Sequence, residues 1–279
     1  MPTTYPPEHH VLRDLRFVME RSQEGELSVR LPLVPELLDG RGVLRAGVLG
    51  IATDVFGGNL SIDAALPDWA VTSELELHVL REVRKGPIEV TGAALRAGRT
   101  SVVLEVEVQD GEGQLAAVGG MSFTKIKRRD DNPILPIDRP DTSTLAREDS
   151  RFHSPVLDAI GLRDVAGDPS AVELDLVPYV MNSVNALQGG IVTMLVEVAA
   201  ERAARRAGGK TAVTTDFSVH FLSLGRVGPL KARARVLRAD GPRALLRVEV
   251  RDRGQDDLLV SLATAQTADS ASLQRYALP

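Results

Sequence analysis

Cysteine is missing from all 279 residues. Its absence excludes disulfides, thiolate nucleophiles and cysteine-ligated zinc. No apolar run approaches the ~18 residues needed to cross a bilayer as a helix, so no membrane partner is expected. A positive charge balance is missing too. Lys and Arg number 33 against 38 Asp and Glu, a net charge of −5 at pH 7, which leaves no electrostatic footprint for nucleic acid. The opening Met-Pro-Thr-Thr-Tyr-Pro-Pro-Glu-His-His has neither a basic start nor an apolar core, so a cytoplasmic location is expected. There is no Gly-x-Ser-x-Gly, which argues against a nucleophile-elbow hydrolase. No His-Glu-x-x-His or clustered His/Asp set points to a metal. What is present is ordinary globular composition, 43% hydrophobic and 25% charged, on a chain long enough for two domains.

The chain repeats itself. Val29-Arg-Leu-Pro-Leu-Val-Pro-Glu-Leu-Leu-Asp39 aligns with Val172-Glu-Leu-Asp-Leu-Val-Pro-Tyr-Val-Met-Asn182, with 5 identities in 11 positions at an offset of 143. Val71–Leu80 aligns with Val213–Leu222 at an offset of 142, which Gly86-Pro87 and Gly228-Pro229 keep. Residues 29–123 therefore reappear at 172–265. Two such copies can pack about a pseudo-two-fold axis and build a site from both.

Each copy reads in one order. An alternating stretch, Leu27–Val34 or Val172–Val177, predicts a strand. A Pro then opens an irregular segment, followed by a helix, near Ala46–Phe56 or Gly189–Arg206. Gly208-Gly209 ends the second helix, and Gly57-Gly58 is expected to end the first. Four strand-like stretches follow, Val71–Leu80, Ile88–Arg96, Ser101–Gln109 and Leu115–Phe123, matched by Val213–Leu222, Leu230–Arg238, Ala244–Arg251 and Leu258–Ala265. This predicts an α+β fold with one long helix laid on one antiparallel sheet in each copy. The expected division is a first domain over 1–126, a linker over 127–150 and a second domain over 151–279. Short helices are expected at Phe152–Leu162 and Val11–Met19.

Candidate chemistry gathers in Asn182-Ser-Val-Asn-Ala-Leu-Gln188-Gly189-Gly190 and the helix it enters, with Glu197 at its middle. A Gly-Gly helix start leaves backbone N–H groups bare along the helix dipole, where they can hold a polarised carbonyl oxygen. Burial of Glu197 on an apolar face would raise its pKa and suit it to base or nucleophile work. In copy one Asp54 falls on Glu197, Ala46 on Gly189, Arg45 on Gln188 and Asp39 on Asn182. Eight residues separate Gly189 from Glu197, about 12 Å along a helix, so the two cannot serve one small carbonyl. If the helices run antiparallel across the pseudo-dyad, each site joins an acid from one copy to amides from the other.

These residues resemble the motif of the PaaI-like acyl-CoA thioesterase family, here as a tandem, or double, hotdog protein. That family's pattern is Asn, a short loop, His-Gly-Gly, then Asp or Glu eight residues after the first Gly. Copy two matches with Asn182, Gly189, Gly190 and Glu197, followed by the Val-Thr-x-Asp strand at Val213–Asp216. Gln188 stands where His is usual and cannot titrate; copy one departs further with Asp39, Arg45 and Ala46. The resemblance implies two hotdog units forming a pseudo-dimer, with two such chains able to form a homodimer. It implies an acyl-CoA substrate as the small-molecule partner, with coenzyme A part of the substrate and no cofactor. It also implies that an activated water or the carboxylate attacks the thioester while the Gly189 amide steadies the oxyanion. Thr72 or Thr214, on the next strand, would orient the acid. The expected competent site joins Asp54 and Thr72 to Asn182, Gln188, Gly189 and Gly190. The reciprocal site joins Glu197 and Thr214 to Asp39, Arg45 and Ala46, where a second carboxylate would repel an oxyanion unless Arg45 neutralised it.

Plainer readings stand beside these. Glu197 fits an exposed helix face, Asp54 a polar helix end, and Asn182 a turn former. The matched His78 and His220 alternate with Glu76 and Ser218 and are expected to face solvent. Lys125–Arg129 fits a solvated linker end better than a contact with coenzyme A phosphate. Gly208-Gly209-Lys210-Thr211 lacks the leading Gly and the strand-to-helix order of a phosphate loop. Two rival functions remain on the same fold, an acyl-thioester hydratase or dehydratase and a non-catalytic acyl-CoA-binding protein.

Overall fold

Val102, Leu104, Val106 and Val108 are buried, while Glu105 and Glu107 between them are exposed. That period of two fixes the strand and the face it turns to the core. The computed structural model describes residues 5–130 and 141–273. The first unit runs α1 (Val11–Asp14), β1 (Val18–Arg21), β2 (Leu27–Leu31), α2 (Ala46–Ala65), β3 (Trp69–Val79), β4 (Ile88–Ala97), β5 (Ser101–Gln109) and β6 (Leu115–Ile126). A short β7 (Thr142–Thr144) precedes the second unit. There the order is α3 (Val156–Ala159), β8 (Arg163–Val165), β9 (Asp168–Leu174), α4 (Gly189–Arg206), β10 (Ala212–Phe221), β11 (Leu230–Asp240), β12 (Arg243–Asp252) and β13 (Leu258–Asp269), closed by α5 (Ser270–Leu273).

The strands form one antiparallel sheet of 13, ordered β7-β1-β2-β4-β5-β6-β3-β10-β13-β12-β11-β9-β8. Apart from β7, the order reads as a mirror image about the β3–β10 seam. At the seam Glu76 lies opposite Ser218, its own counterpart in the repeat. In the helix layer Gly50 meets Thr193, also counterparts, so the pseudo-dyad passes through both pairs. Each unit is a long helix on an antiparallel sheet, as the α+β reading expects, and the two sheets join edge to edge. The paired helices are covered by the sheet on one side and by each other on the other. That is why every residue from Ala46 to Gly57 is buried.

The predicted Gly189–Arg206 helix has those bounds in the structure. The first helix does not end at Gly57-Gly58; it continues to Ala65 and stops at Leu66, before Pro67. Gly57 is a packing glycine, because a β-carbon there would lie 2.4 Å from the Met121 sulfur. Only Val156–Ala159 of the expected Phe152–Leu162 is helical, and Val11–Met19 divides into α1 and the start of β1. Within the expected linker, β7 adds to the edge of β1 and Lys127 pairs with Asp68, while Lys125, at the end of β6, donates to the Ala64 carbonyl. His78 and His220 are 44% and 54% exposed, and they also reach across the seam. His78 Nδ1 lies 2.8 Å from Asp216, which pushes its pKa up, and His220 Nδ1 lies 3.6 Å from Glu74. Ion pairs this exposed contribute little to stability.

Candidate active site

A helix N-terminus has unsatisfied N–H groups, and in this fold a carboxylate from the opposite helix meets them. Asp54, at the middle of α2, accepts from the Gly190 amide at 3.0 Å. Glu197, at the middle of α4, accepts from the Ala46 and Gly47 amides at 3.1 and 3.2 Å. The helices therefore run antiparallel and cap each other reciprocally. Each composite site takes its acid from one copy and its amides from the other.

The Asp54 centre is the more complete one. Its Oδ1 accepts from the Thr72 hydroxyl at 2.9 Å, and its Oδ2 accepts from Gln188 Nε2 at 2.9 Å. A register shift in the β3–β6 pairing between Thr72 and Glu74 accompanies the turn of Thr72 toward α2. Gln188 uses both ends of its amide, since its Oε1 accepts from the Ile191 N–H at 2.9 Å and caps α4. Burial pushes the Asp54 pKa up to about 6, with the Thr72 and Gly190 hydrogen bonds opposing the rise.

Gly189 must be glycine, because a β-carbon there would lie 2.9 Å from Asp54 Oδ1. Gly190 must be too, since its β-carbon would lie 2.5 Å from the Ile51 Cα. The Gly189 N–H donates to no protein group among the described residues, and Gly189 lines a cavity. Asn182 lines the same cavity with its side chain engaged in its own loop. Its Oδ1 accepts from Val184 and Ala186, and its Nδ2 donates to the Leu187 carbonyl at 3.3 Å. Asp39 makes the same turn in copy one, accepting from Arg41 and Val43. The plainer reading of Asn182 as a turn former describes these contacts.

The cavity beside Asp54 measures about 250 Å³. Its walls are mostly apolar, with Met19, Val55, Ile62, Trp69 and Phe123 from copy one and Val184, Phe221 and Leu224 from copy two. Gly58 faces it one helical turn past Asp54, and a β-carbon there would meet nothing within 4 Å. Tyr5, Pro6 and Leu12 close one side. That N-terminal wall was not legible as part of the site; a Tyr-Pro-Pro stretch has no period to place it.

The Glu197 centre differs in kind. Glutamate is one methylene longer than aspartate, and its carboxylate occupies both leading amides of α2, so no counterpart of the unengaged Gly189 N–H remains. Arg45 lies 3.8 Å away, while burial and the neighbouring Glu201 push the Glu197 pKa up. The structure does not bring Thr214 to Glu197. The Thr214 amide donates to Glu201, and its buried hydroxyl has no partner among the described residues. At the mouth, Val184 and Leu224 of the open cavity correspond to Arg41 and Glu82, which form an ion pair at 2.5 Å. Asp39 and Arg84 join that network at 2.6 and 2.7 Å. Charge fills in copy one the place that the open cavity takes in copy two. Glu197→Gln should therefore leave catalysis within about threefold of wild type, a surface-like effect on rate, measured by steady-state turnover. Complete loss would move the chemistry to Glu197.

A long helix on each half of a shared antiparallel sheet, with a carboxylate facing the opposite helix N-terminus, defines a tandem hotdog protein. The Thioesterase superfamily matches residues 46–117 and 185–258, one segment in each unit. A protein of Saccharolobus solfataricus that carries the name esterase is 35% identical over 97 residues, 34% of this chain and 68% of that one. A crystal structure from Thermobifida fusca, described as a thioesterase II, superposes with a TM-score of 0.63 at 16% identity, covering 94% of this chain and 98% of that one. A hot dog fold protein from Alicyclobacillus acidocaldarius gives 0.55 at 12% identity, over 93% and 97% of the two chains. The chain belongs to the thioesterase superfamily, and the class of chemistry this supports is thioester hydrolysis.

Proposed function

We propose that the chain hydrolyses acyl-CoA thioesters at one centre, the Asp54 site, in the manner of PaaI-like enzymes. The observation that carries this reading is the unengaged Gly189 amide beside a buried carboxylate, both facing an apolar cavity. An apolar chamber suits an aliphatic or aromatic acyl group, and open space at Gly58 gives such a group room past the carboxylate.

Asp54 acts as the base. Three of its acceptor positions are taken by Thr72, Gln188 and Gly190, which hold it in place and leave Oδ1 room for a water. Asp54 takes one proton as the water oxygen bonds to the carbonyl carbon. The carbonyl electron pair moves to its oxygen, which accepts from the Gly189 N–H at the positive end of α4. Collapse of the tetrahedral adduct breaks the C–S bond. The thiolate leaves and takes the proton back from Asp54, giving carboxylic acid and free thiol. Gln188 orients the acid and takes no part in proton transfer.

The test is thiol release from acyl-CoAs of increasing chain length, with phenylacetyl- and benzoyl-CoA beside them. Turnover is expected. If no ester is cleaved while the same compounds raise the melting temperature, the protein binds without hydrolysing. A base works only when ionised, so kcat/KM should climb with pH along a limb centred near 6 and then level off. Below that limb it should fall about tenfold per pH unit. A profile flat between about pH 5 and 7 would remove Asp54 as the base.

A further inference from the structure

We propose that the Tyr5 hydroxyl touches the substrate and gives the reacting thioester a second hydrogen bond beside that of the Gly189 amide. This rests on the thioesterase reading and adds to it a residue from outside both helices. Tyr5 lines the Asp54 cavity, and its hydroxyl bonds to no protein group among the described residues. Tyr5 is half-buried, and a phenol that lines a cavity with its hydroxyl unpaired to protein is placed to meet a ligand there. Burial and the nearby Asp54 charge both push its pKa up, so it stays an O–H donor throughout the working pH range.

The segment carrying Tyr5 is firmly held. Its ring rests edge-on against His10 with centroids 5.3 Å apart. His10 Nδ1 accepts from the Leu12 amide at 3.1 Å, so Nε2 carries the proton and donates to the Met181 carbonyl at 2.7 Å. Burial keeps His10 neutral by lowering its pKa to about 4. The Arg13 guanidinium donates to the carbonyls of Pro6, Pro7 and Leu145 at 2.5, 2.6 and 2.7 Å. Asp14 accepts from the Tyr179 hydroxyl at 2.8 Å. The strap is thereby tied to the loop that leads to Gln188 and Gly189, and a donor on it is positioned before substrate arrives.

The short helices α1 and α3, outside the repeat, supply a contrast. In the register that places α1 on α3, Tyr5 falls on Ser150, whose hydroxyl accepts from the Arg147 amide. The Ser150 hydroxyl is thus engaged within its own turn, where that of Tyr5 has no protein partner among the described residues. Tyr5 keeps its proton throughout; it donates a hydrogen bond and transfers nothing.

Tyr5→Phe removes the hydroxyl and retains the ring. On the best acyl-CoA of the panel its kcat should fall about tenfold, with KM within about twofold and an unchanged melting temperature. Tyr5→Ala, measured in parallel, should fall at least as far. Wild-type kcat in Tyr5→Phe, with loss only in Tyr5→Ala, would show that the ring merely packs and would overturn the proposal. A Tyr5→Phe defect confined to KM would overturn it as well. If wild type cleaves no thioester, the functional reading falls and takes this one with it; if wild type is active and Tyr5→Phe matches it, only the Tyr5 role falls.

Discussion

Asp54→Asn should lose hydrolysis by about a thousandfold and melt at a higher temperature than wild type. The kinetic half follows from losing a positioned base, typically worth 10² to 10⁴ in rate. The stability half follows from linkage. The Asp54 carboxyl titrates near 6 in the folded chain, against about 3.9 for an unfolded aspartate. Its folded pKa is raised, so folding favours the protonated form. That contribution is fully present below about pH 4 and is lost as pH rises through about 6. Above this window the ionised, buried group costs on the order of 3 kcal/mol.

Asparagine removes the charge and fits the same hydrogen bonds. Its carbonyl oxygen can accept from Gln188 and Gly190, and its NH₂ can donate to the Thr72 oxygen. Activity assays and thermal denaturation at neutral pH check both halves. More than a tenth of wild-type turnover would remove Asp54 from the chemistry. A fall in melting temperature would show that hydrogen bonding to the charge outweighs its burial.

Gly50→Leu should destabilise the chain by about 3 kcal/mol or more, the upper end of overpacking effects. Gly50 sits where α2 crosses α4 on the pseudo-dyad. A β-carbon there would lie 2.3 Å from Thr193 Oγ1 and 2.8 Å from its Cβ. Thr193 cannot step aside, because its hydroxyl bonds to the Gly47 and Gly190 carbonyls at 2.9 and 2.7 Å. The helices would have to part, drawing Asp54 away from Gly190, so activity should fall along with stability. Gly58→Leu is the matched control on the same helix, where an added β-carbon meets nothing within 4 Å. Chemical denaturation of both variants measures the difference. Equal stabilities would show that the helix crossing has slack.

The internal repeat made most of the architecture legible, because strand period and turn residues are local signals that appear twice. The α4 bounds followed from a clean stretch between Gln188 and Gly208. The end of α2 did not, because Gly57-Gly58 looks like a stop signal unless Met121 and Phe123 are known to fill the space above Gly57. In the site, aligning Asp54 with Glu197 and measuring eight residues from Gly189 to Glu197 set acid against amide across the dyad on the condition that the helices run antiparallel, as they do. It could not separate a glutamate that reaches two amides from an aspartate that reaches one, since that depends on a single methylene at a fixed helix spacing. Thr72 and Thr214 align in sequence, yet only Thr72 meets its acid. Tyr5 lies outside the repeat, and nothing periodic connects it to Asp54.

Duplication inside one chain also changes what a mutation can reach. In a dimer of identical subunits each substitution is made twice, and a change that ruins one centre ruins its twin. Here Arg41, Glu82 and Glu197 alter one centre alone, while Val184, Leu224 and Asp54 keep the other open. Fusion lets the two centres diverge although both halves build each of them, and the function proposed above then carries a stoichiometry of one working centre per two folded units.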